Sequence, residues 1–277
     1  MKRGLRALAL AAAAALALAA TPALADESPT YLALGDSVPF GYSPLVTNLS
    51  DADAYVGYPE DLAGVLDTGV RNASCPGETS GSLISTSAPD NGCQTARSLG
   101  DLHVNYKGSQ LAYALAFLRA HKHISLVTMT IGANDVFLLQ RACSLQTTVP
   151  PATCIFGGLS GVIANIQANL TTIYSAIRAT GYTGPIVALT YYTTDYRDPV
   201  GTFVIGSIDA AMAGVTQAFG GRVADGFAAF RAIAIARAGG DSCAAGLLIV
   251  KPNGTCDIHP STFGAQVLAR RVAAALQ

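Results

Sequence analysis

The sequence predicts one three-layer α/β/α domain built on a parallel, five-stranded sheet. Three observations point there. Beyond residue 25, short runs rich in Val, Ile, Leu and Thr alternate with stretches of helical periodicity. Most of the short runs are bounded by Gly or Asp, as strands feeding a turn are. No internal repeat or low-complexity stretch interrupts the pattern after residue 25, so residues 26–277 read as one folding unit. Strands separated by helices pair in parallel, and a parallel sheet needs helices on both faces.

The elements follow in order. Thr30–Leu34 and Gly69–Ala73 are the first two predicted strands, then come a helix over Gln110–His121 and a third strand over Ile124–Ile131. Leu159, Val162, Ile163, Ile166, Leu170, Ile173, Tyr174 and Ile177 advance by three and four, which puts one apolar stripe on a helix of about five turns. Gly181 stops it. Pro185–Tyr191 and Arg222–Asp225 supply the last two strands, and helices are expected over Gly206–Phe219, Phe227–Ala238 and Thr262–Leu276. In open parallel sheets ligands bind beyond the carboxyl ends of the strands. Chemistry is therefore expected just after strands one to four.

Apolar residues make up 51% of the chain and charged residues 13%, a balance that leans toward membrane or export. Part of the bias is local. Lys2, Arg3 and Arg6, an unbroken Ala/Leu run over Ala7–Ala20, and Ala23-Leu24-Ala25 have the three-part layout of a secretory signal peptide. The run would span about 21 Å as a helix, short of the roughly 30 Å hydrocarbon core, so a membrane anchor is the weaker reading. Residues 1–25 are thus expected to be a signal peptide and residues 26–277 the secreted, extracellular domain. Without the leader the chain holds 14 basic and 18 acidic residues, a net charge of −4, which gives no footing for nucleic acid.

The six cysteines, Cys75, Cys93, Cys143, Cys154, Cys243 and Cys256, all lie beyond the leader. An even count in an exported chain reads as three disulfides, and the spacing favours nearest neighbours among the 15 connectivities. No Cys-x-x-Cys and no His at ligand spacing supports a metal. Nor is there a Walker A, a Gly-x-Gly-x-x-Gly, a His-Glu-x-x-His or a Gly-x-Ser-x-Gly, so no cofactor is expected.

Four short blocks remain. Gly35-Asp36-Ser37 follows the first strand, Asn72-Ala73-Ser74-Cys75-Pro76-Gly77 the second, and Gly132-Ala133-Asn134-Asp135 the third; Asp257-Ile258-His259-Pro260 precedes the last helix. They provide a hydroxyl at a strand-to-helix turn, close-approach backbone, a side-chain amide and an imidazole. Those are the parts of a serine acyl-transfer site. In order and position the blocks resemble the SGNH/GDSL hydrolase family, with Ser37, Gly77, Asn134 and His259 as its four marker residues. The resemblance spans Tyr31 to the last helix. It implies a flavodoxin-like sheet and ester hydrolysis, with Ser37 as nucleophile and His259 as general base. It also implies an oxyanion hole from the Ser37 and Gly77 N–H groups and the Asn134 amide.

One position departs from the family. Its acid usually stands three residues before the histidine, where this chain has Cys256, while Asp257 stands two before His259. Either Asp257 or a main-chain carbonyl near Thr255–Cys256 orients the imidazole. Each expected bridge also has a cysteine near a block: Cys75 by Gly77, Cys143 past Asn134, Cys256 by His259. The bridges are therefore expected to hold the site's rim, or simply to stabilise an exported domain. Asp36 and Asp135 read as loop hydrogen-bonders, and Phe137, Phe156, Tyr191 and Tyr192 as candidates to line an acyl pocket. The expected protein is a monomeric esterase or lipase acting on small-molecule or lipid esters, with no stable membrane anchor. Polysaccharide deacetylation, or a non-catalytic carbohydrate- or lipid-binding module of the same fold, are the alternatives.

Overall fold

The computed structural model describes residues 30–48 and 50–277; the leader expected over residues 1–25 lies outside them. The chain runs β1 (Thr30–Gly35), α1 (Ser37–Phe40), α2 (Tyr58–Leu66), β2 (Gly69–Asn72), α3 (Ser80–Ile84), α4 (Cys93–Leu99), α5 (Gln110–Ala120) and β3 (Ile124–Thr130). It continues α6 (Ala133–Leu145), α7 (Pro151–Ala179), β4 (Ile186–Leu189), α8 (Pro199–Ala218), β5 (Arg222–Ala224), α9 (Gly226–Ala238), β6 (Leu248–Val250), β7 (Cys256–Pro260) and α10 (Thr262–Ala275).

Strands β1 to β5 form one all-parallel sheet in the order β2-β1-β3-β4-β5, as the periodicity predicts. The register runs from Leu32 beside Val127 to Val127 beside Ile186 and Val187 beside Arg222. Every residue of β4 is buried, as is all of β3 but one position, because both faces are covered. Helices α2, α9 and α10 pack on one face; α3, α5, α6, α7 and α8 pack on the other. The core between them gathers Leu32, Leu34, Val127, Met129, Ile166, Ile173 and Leu268.

This strand order changes direction between β1 and β3: one crossover leaves β1 for β2, and the next comes back past it to β3. At such a switch point the loops at the carboxyl ends splay apart and leave a crevice. Ser37 follows β1, Gly77 follows β2 and Asn134 follows β3, so three of the four blocks meet at that crevice.

Two helices are longer than their periodicity announces. α7 starts at Pro151 and α8 at Pro199, each using proline where a helix's first N–H needs no partner. The short α1, α3 and α4, of four, five and seven residues, hold too little of a helical repeat for spacing to mark them. The antiparallel pair β6–β7 is a separate two-stranded sheet, also unannounced.

The six cysteines pair as Cys75–Cys93, Cys143–Cys154 and Cys243–Cys256. Their Cα separations of 5.5, 5.6 and 6.1 Å lie in the usual range for a bridge. Helix α8 has the length and composition of a membrane span, with a mean hydropathy of 1.3 over its most apolar window. Its inner side packs on α7, β4 and β5 through Ile208, Ala211 and Met212.

Candidate active site

Ser37 is the first residue of α1, one step past the end of β1. Two local features fix that turn. The Asp36 carboxylate accepts from the Val38 N–H at 3.0 Å and caps the helix. Gly35 sits at φ +135°, where a Cβ would lie 2.0 Å from the Thr130 carbonyl oxygen, so no side chain fits between β1 and β3. The Gln110 amide then grips the Gly35 backbone on both sides. It accepts from the Gly35 N–H at 2.7 Å and donates to the Gly35 carbonyl at 2.9 Å.

His259 reaches Ser37 from the other end of the chain. Its Nε2 lies 2.9 Å from Ser37 Oγ, and its Nδ1 lies 2.5 Å from Asp257 Oδ1, a carboxylate that also accepts from the His259 backbone N–H at 3.1 Å. The two-residue spacing has a simple cause. Both residues sit on β7, and in a strand positions i and i+2 share a face while i+1 turns away. Ile258 is accordingly half-exposed between them. A three-residue spacing suits a turn; on a strand, two places both groups together. The hydrogen bond from His259 holds the Asp257 carboxyl below its ordinary value, aided by Lys251, whose Nζ is 3.8 Å from Oδ2.

Gly77 and Asn134 face the same space. Gly77 has φ +80°, and a Cβ there would meet the Asn91 carbonyl at 2.3 Å. Asn134 is buried, and its amide is clamped at both ends. Nδ2 donates to the Glu78 carbonyl at 3.0 Å, and Oδ1 accepts from Asn91 Nδ2 at 3.0 Å. That leaves one Nδ2 hydrogen for a third partner.

A polar network missed by sequence reasoning lies beneath. The buried Glu78 carboxylate accepts from Ser82 Oγ at 2.5 Å, Gln110 Nε2 at 3.0 Å and Arg97 Nη2 at 3.2 Å. Burial still pushes it up to about 7. Asp135 accepts from the Ser80 N–H and hydroxyl at 2.8 and 2.6 Å, tying α6 to α3. Asp36 also accepts from the Tyr191 hydroxyl, and burial pushes its carboxyl up to about 6. Asn91, Glu78 and Gln110 carry no motif; their positions become meaningful only once the fold brings residues 35, 78, 91, 110 and 134 together. Cys75, Glu78 and Cys93 do offer clustered ligand atoms, but the two sulfurs are bonded to each other.

Two cavities open on Ser37, Asn134 and His259. One, of about 310 Å³, is walled by Val136, Phe137, Ile155, Tyr191, Val204 and Ile208. The other, of about 490 Å³, is lined by Gly77, Asn91, Tyr42, Tyr55 and Thr95 among others. Of the aromatic residues expected to line an acyl pocket, Phe137, Tyr191 and Tyr192 line the smaller cavity. Phe156 does not: its α7 neighbour Ile155 faces the cavity, and one helical step turns Phe156 about 100° outward.

Residues 33–267 match the GDSL-like lipase/acylhydrolase family. No curated protein matches the chain. Solved structures of similar fold include an extracellular lipase from Streptomyces rimosus, 19% identical, with 90% of this chain and 100% of that one covered at a TM-score of 0.57. A phospholipase A1 from Streptomyces albidoflavus is 18% identical, with 90% and 96% covered at a TM-score of 0.53. An acetylxylan esterase from Geobacillus stearothermophilus is 17% identical, with 90% and 94% covered at 0.53. At such identities these structures speak for the fold, while the family match extends over most of the chain and includes Ser37, Gly77, Asn134 and His259. The chain belongs to the GDSL-like lipase/acylhydrolase family.

Proposed function

We propose that this chain is a secreted serine ester hydrolase acting on acyl lipids, with Ser37, His259 and Asp257 as its triad. The observation that carries the reading is the unbroken line from Ser37 Oγ through the His259 imidazole to the Asp257 carboxylate, at the mouth of two cavities. Ser37 Oγ attacks the ester carbonyl while His259 Nε2 takes its proton. Asp257 holds the Nδ1–H tautomer and balances the imidazolium. The oxyanion accepts from the Ser37 and Gly77 N–H groups and from Asn134 Nδ2. When the tetrahedral intermediate collapses, His259 returns the proton to the departing alkoxide and the alcohol leaves. Water then repeats the cycle on the acyl-enzyme, releasing the acid and restoring Ser37.

Both cavities are mostly apolar; the acyl chain is assigned to the smaller, which runs along Val136, Ile155, Val204 and Ile208, and the alcohol to the wider one. Three disulfides fit an oxidising, extracellular setting. The test is a chain-length series of p-nitrophenyl esters with wild type and Ser37→Ala, together with a serine-directed phosphonate. Wild type is expected to turn over and to be titrated by the phosphonate, with Ser37→Ala slower by about 10⁴-fold or more. Equal rates from the two proteins would leave a non-catalytic binding module. Turnover confined to acetate would favour the deacetylase reading over the lipase one.

A further inference from the structure

We infer that the rim built by the α6–α7 hairpin and the first half of α8 is a docking face for a net-neutral lipid surface. The inference takes its purpose from the lipase reading above, but its geometry stands apart from it.

Charge is the first observation. Between Arg141 and Arg178 there is no Asp, Glu, Lys, Arg or His. Between Asp198 and Arg222 the single charged residue is Asp209, which is buried. Surface helices ordinarily present charge on their outer side; here two consecutive long helices present none over most of their length. Asp198 stands at the edge, where its carboxylate caps α8 by accepting from the Val200 N–H at 2.9 Å.

Exposure is the second. Leu145 is 76% exposed, Phe203 56%, Val200 48%, Phe156 46% and Val149 43%. Phe156 and Phe203 come from different helices, yet their ring centroids are 6.2 Å apart, so they form one apolar point. Only a third of the most apolar window of α8 is buried within the protein. The Cys143–Cys154 bridge holds the base of the hairpin, so Leu145 and Val149 are presented on a tethered loop.

Position is the third. Val200 is half-exposed and also lines the cavity leading to Ser37, and Ile155, next to Phe156, lines it too. The apolar face is therefore continuous with the mouth of the acyl cavity. A lipid surface seated on it would put an ester chain at that mouth without crossing water. Basic clusters, which recruit anionic membranes, are missing from this rim. The occupant that fits is a surface of net-neutral lipid, held by apolar insertion alone.

Binding is read first on Ser37→Ala protein, which cannot consume its target. It is expected to co-sediment with phosphatidylcholine vesicles, with no gain when about 30% phosphatidylglycerol is added. Adding Phe156→Asp and Phe203→Asp should weaken that binding by about tenfold or more. In otherwise wild-type protein the same pair should cut hydrolysis of an emulsified long-chain ester by a similar factor. Hydrolysis of soluble p-nitrophenyl acetate should stay within about twofold. Phe156→Ser with Phe203→Ser serves if the aspartates impair folding. Failure to bind phosphatidylcholine, equal binding by the double variant, or a dimer that the double variant dissociates would each overturn the proposal. Vesicle binding without hydrolysis of any ester would overturn the lipase reading and leave the docking face standing.

Discussion

The two sides of the crevice are built on opposite principles. On the Gly77 side, the polar groups around Asn134 and Gly35 are fixed by hydrogen bonds. Asn91 and the Glu78 carbonyl clamp the Asn134 amide, Gln110 grips Gly35, and Glu78 gathers Ser82, Gln110 and Arg97 around a buried carboxylate. On the Val204 side the wall is α6, α7 and α8, which line the cavity mainly through aliphatic and aromatic side chains, with the Asp198 carboxylate at its edge. Donors that stabilise a developing oxyanion work only when held still, because reorganisation would consume the stabilisation they offer. An acyl chain has no directional demand, so a deformable apolar wall serves it. Turnover should therefore be sensitive to the first side, and substrate size to the second.

The largest effect that would break this comparison comes from Asp257→Asn. If the carboxylate orients His259, kcat should fall by about 10⁴-fold with soluble and lipid esters alike; a rate near wild type would move the role to a backbone carbonyl. Next, Asn134→Ala should cost about 10²–10³ in kcat. Asn91→Ala, acting through Asn134, should cost about tenfold with KM unchanged, and Asn91→Asp, whose carboxylate cannot donate to Asn134 Oδ1, should behave alike. A loss in KM instead would make Asn91 a substrate contact. The disulfides sharpen the contrast. Replacing Cys75 and Cys93 by Ala should lower kcat on acetate well below the melting temperature. Replacing Cys143 and Cys154 should cost about 3 kcal/mol of stability and spare acetate turnover, as chemical denaturation and kinetics would report. Parallel losses in both pairs would reduce all bridges to general stabilisation.

The smallest expected effect concerns Asp209, which lies behind the apolar wall. One of its oxygens accepts from the Tyr191 N–H at 2.8 Å; the other is buried without a partner. Burial pushes its carboxyl from 3.8 to about 8. The folded protein therefore keeps a proton that the unfolded chain releases. The resulting stability is complete below about pH 4 and lost as pH rises through about 8. Asp209→Asn keeps the oxygen facing Tyr191 and cannot ionise, so its melting temperature should gain on wild type between pH 4 and 8. A constant difference across that range would refute the assignment.

What was legible in the sequence divides along the same line. Strand positions, the parallel sheet and the four blocks could be read because burial on both faces forces apolar runs, and because chemistry requires particular side chains at strand ends. The choice of Ser37, Gly77, Asn134 and His259 as neighbours came from the resemblance of the four ordered blocks to the SGNH/GDSL family; the structure brings all four to one crevice. The clamp was not legible. Asn91 and Gln110 are ordinary polar residues whose partners lie 43 and 75 residues away in sequence, and nothing local marks such pairs. The β6–β7 pair hid for another reason. β7, Cys-Asp-Ile-His-Pro, is part-exposed along its whole length, so no buried apolar run marks it. Missing that pair obscured why Asp257, two residues from His259, lies within reach of it.

That late pair of strands also sets a clock. Ser37 and His259 are separated by 222 positions, and the segment bearing His259 is clipped in place by Cys243–Cys256. Synthesis runs from the N-terminus, so a growing chain holds its hydroxyl long before it holds its imidazole. Until β7 has been made, Ser37 and His259 cannot meet. The order of synthesis thus defers the Ser37–His259 pair to the last part of the chain to be made.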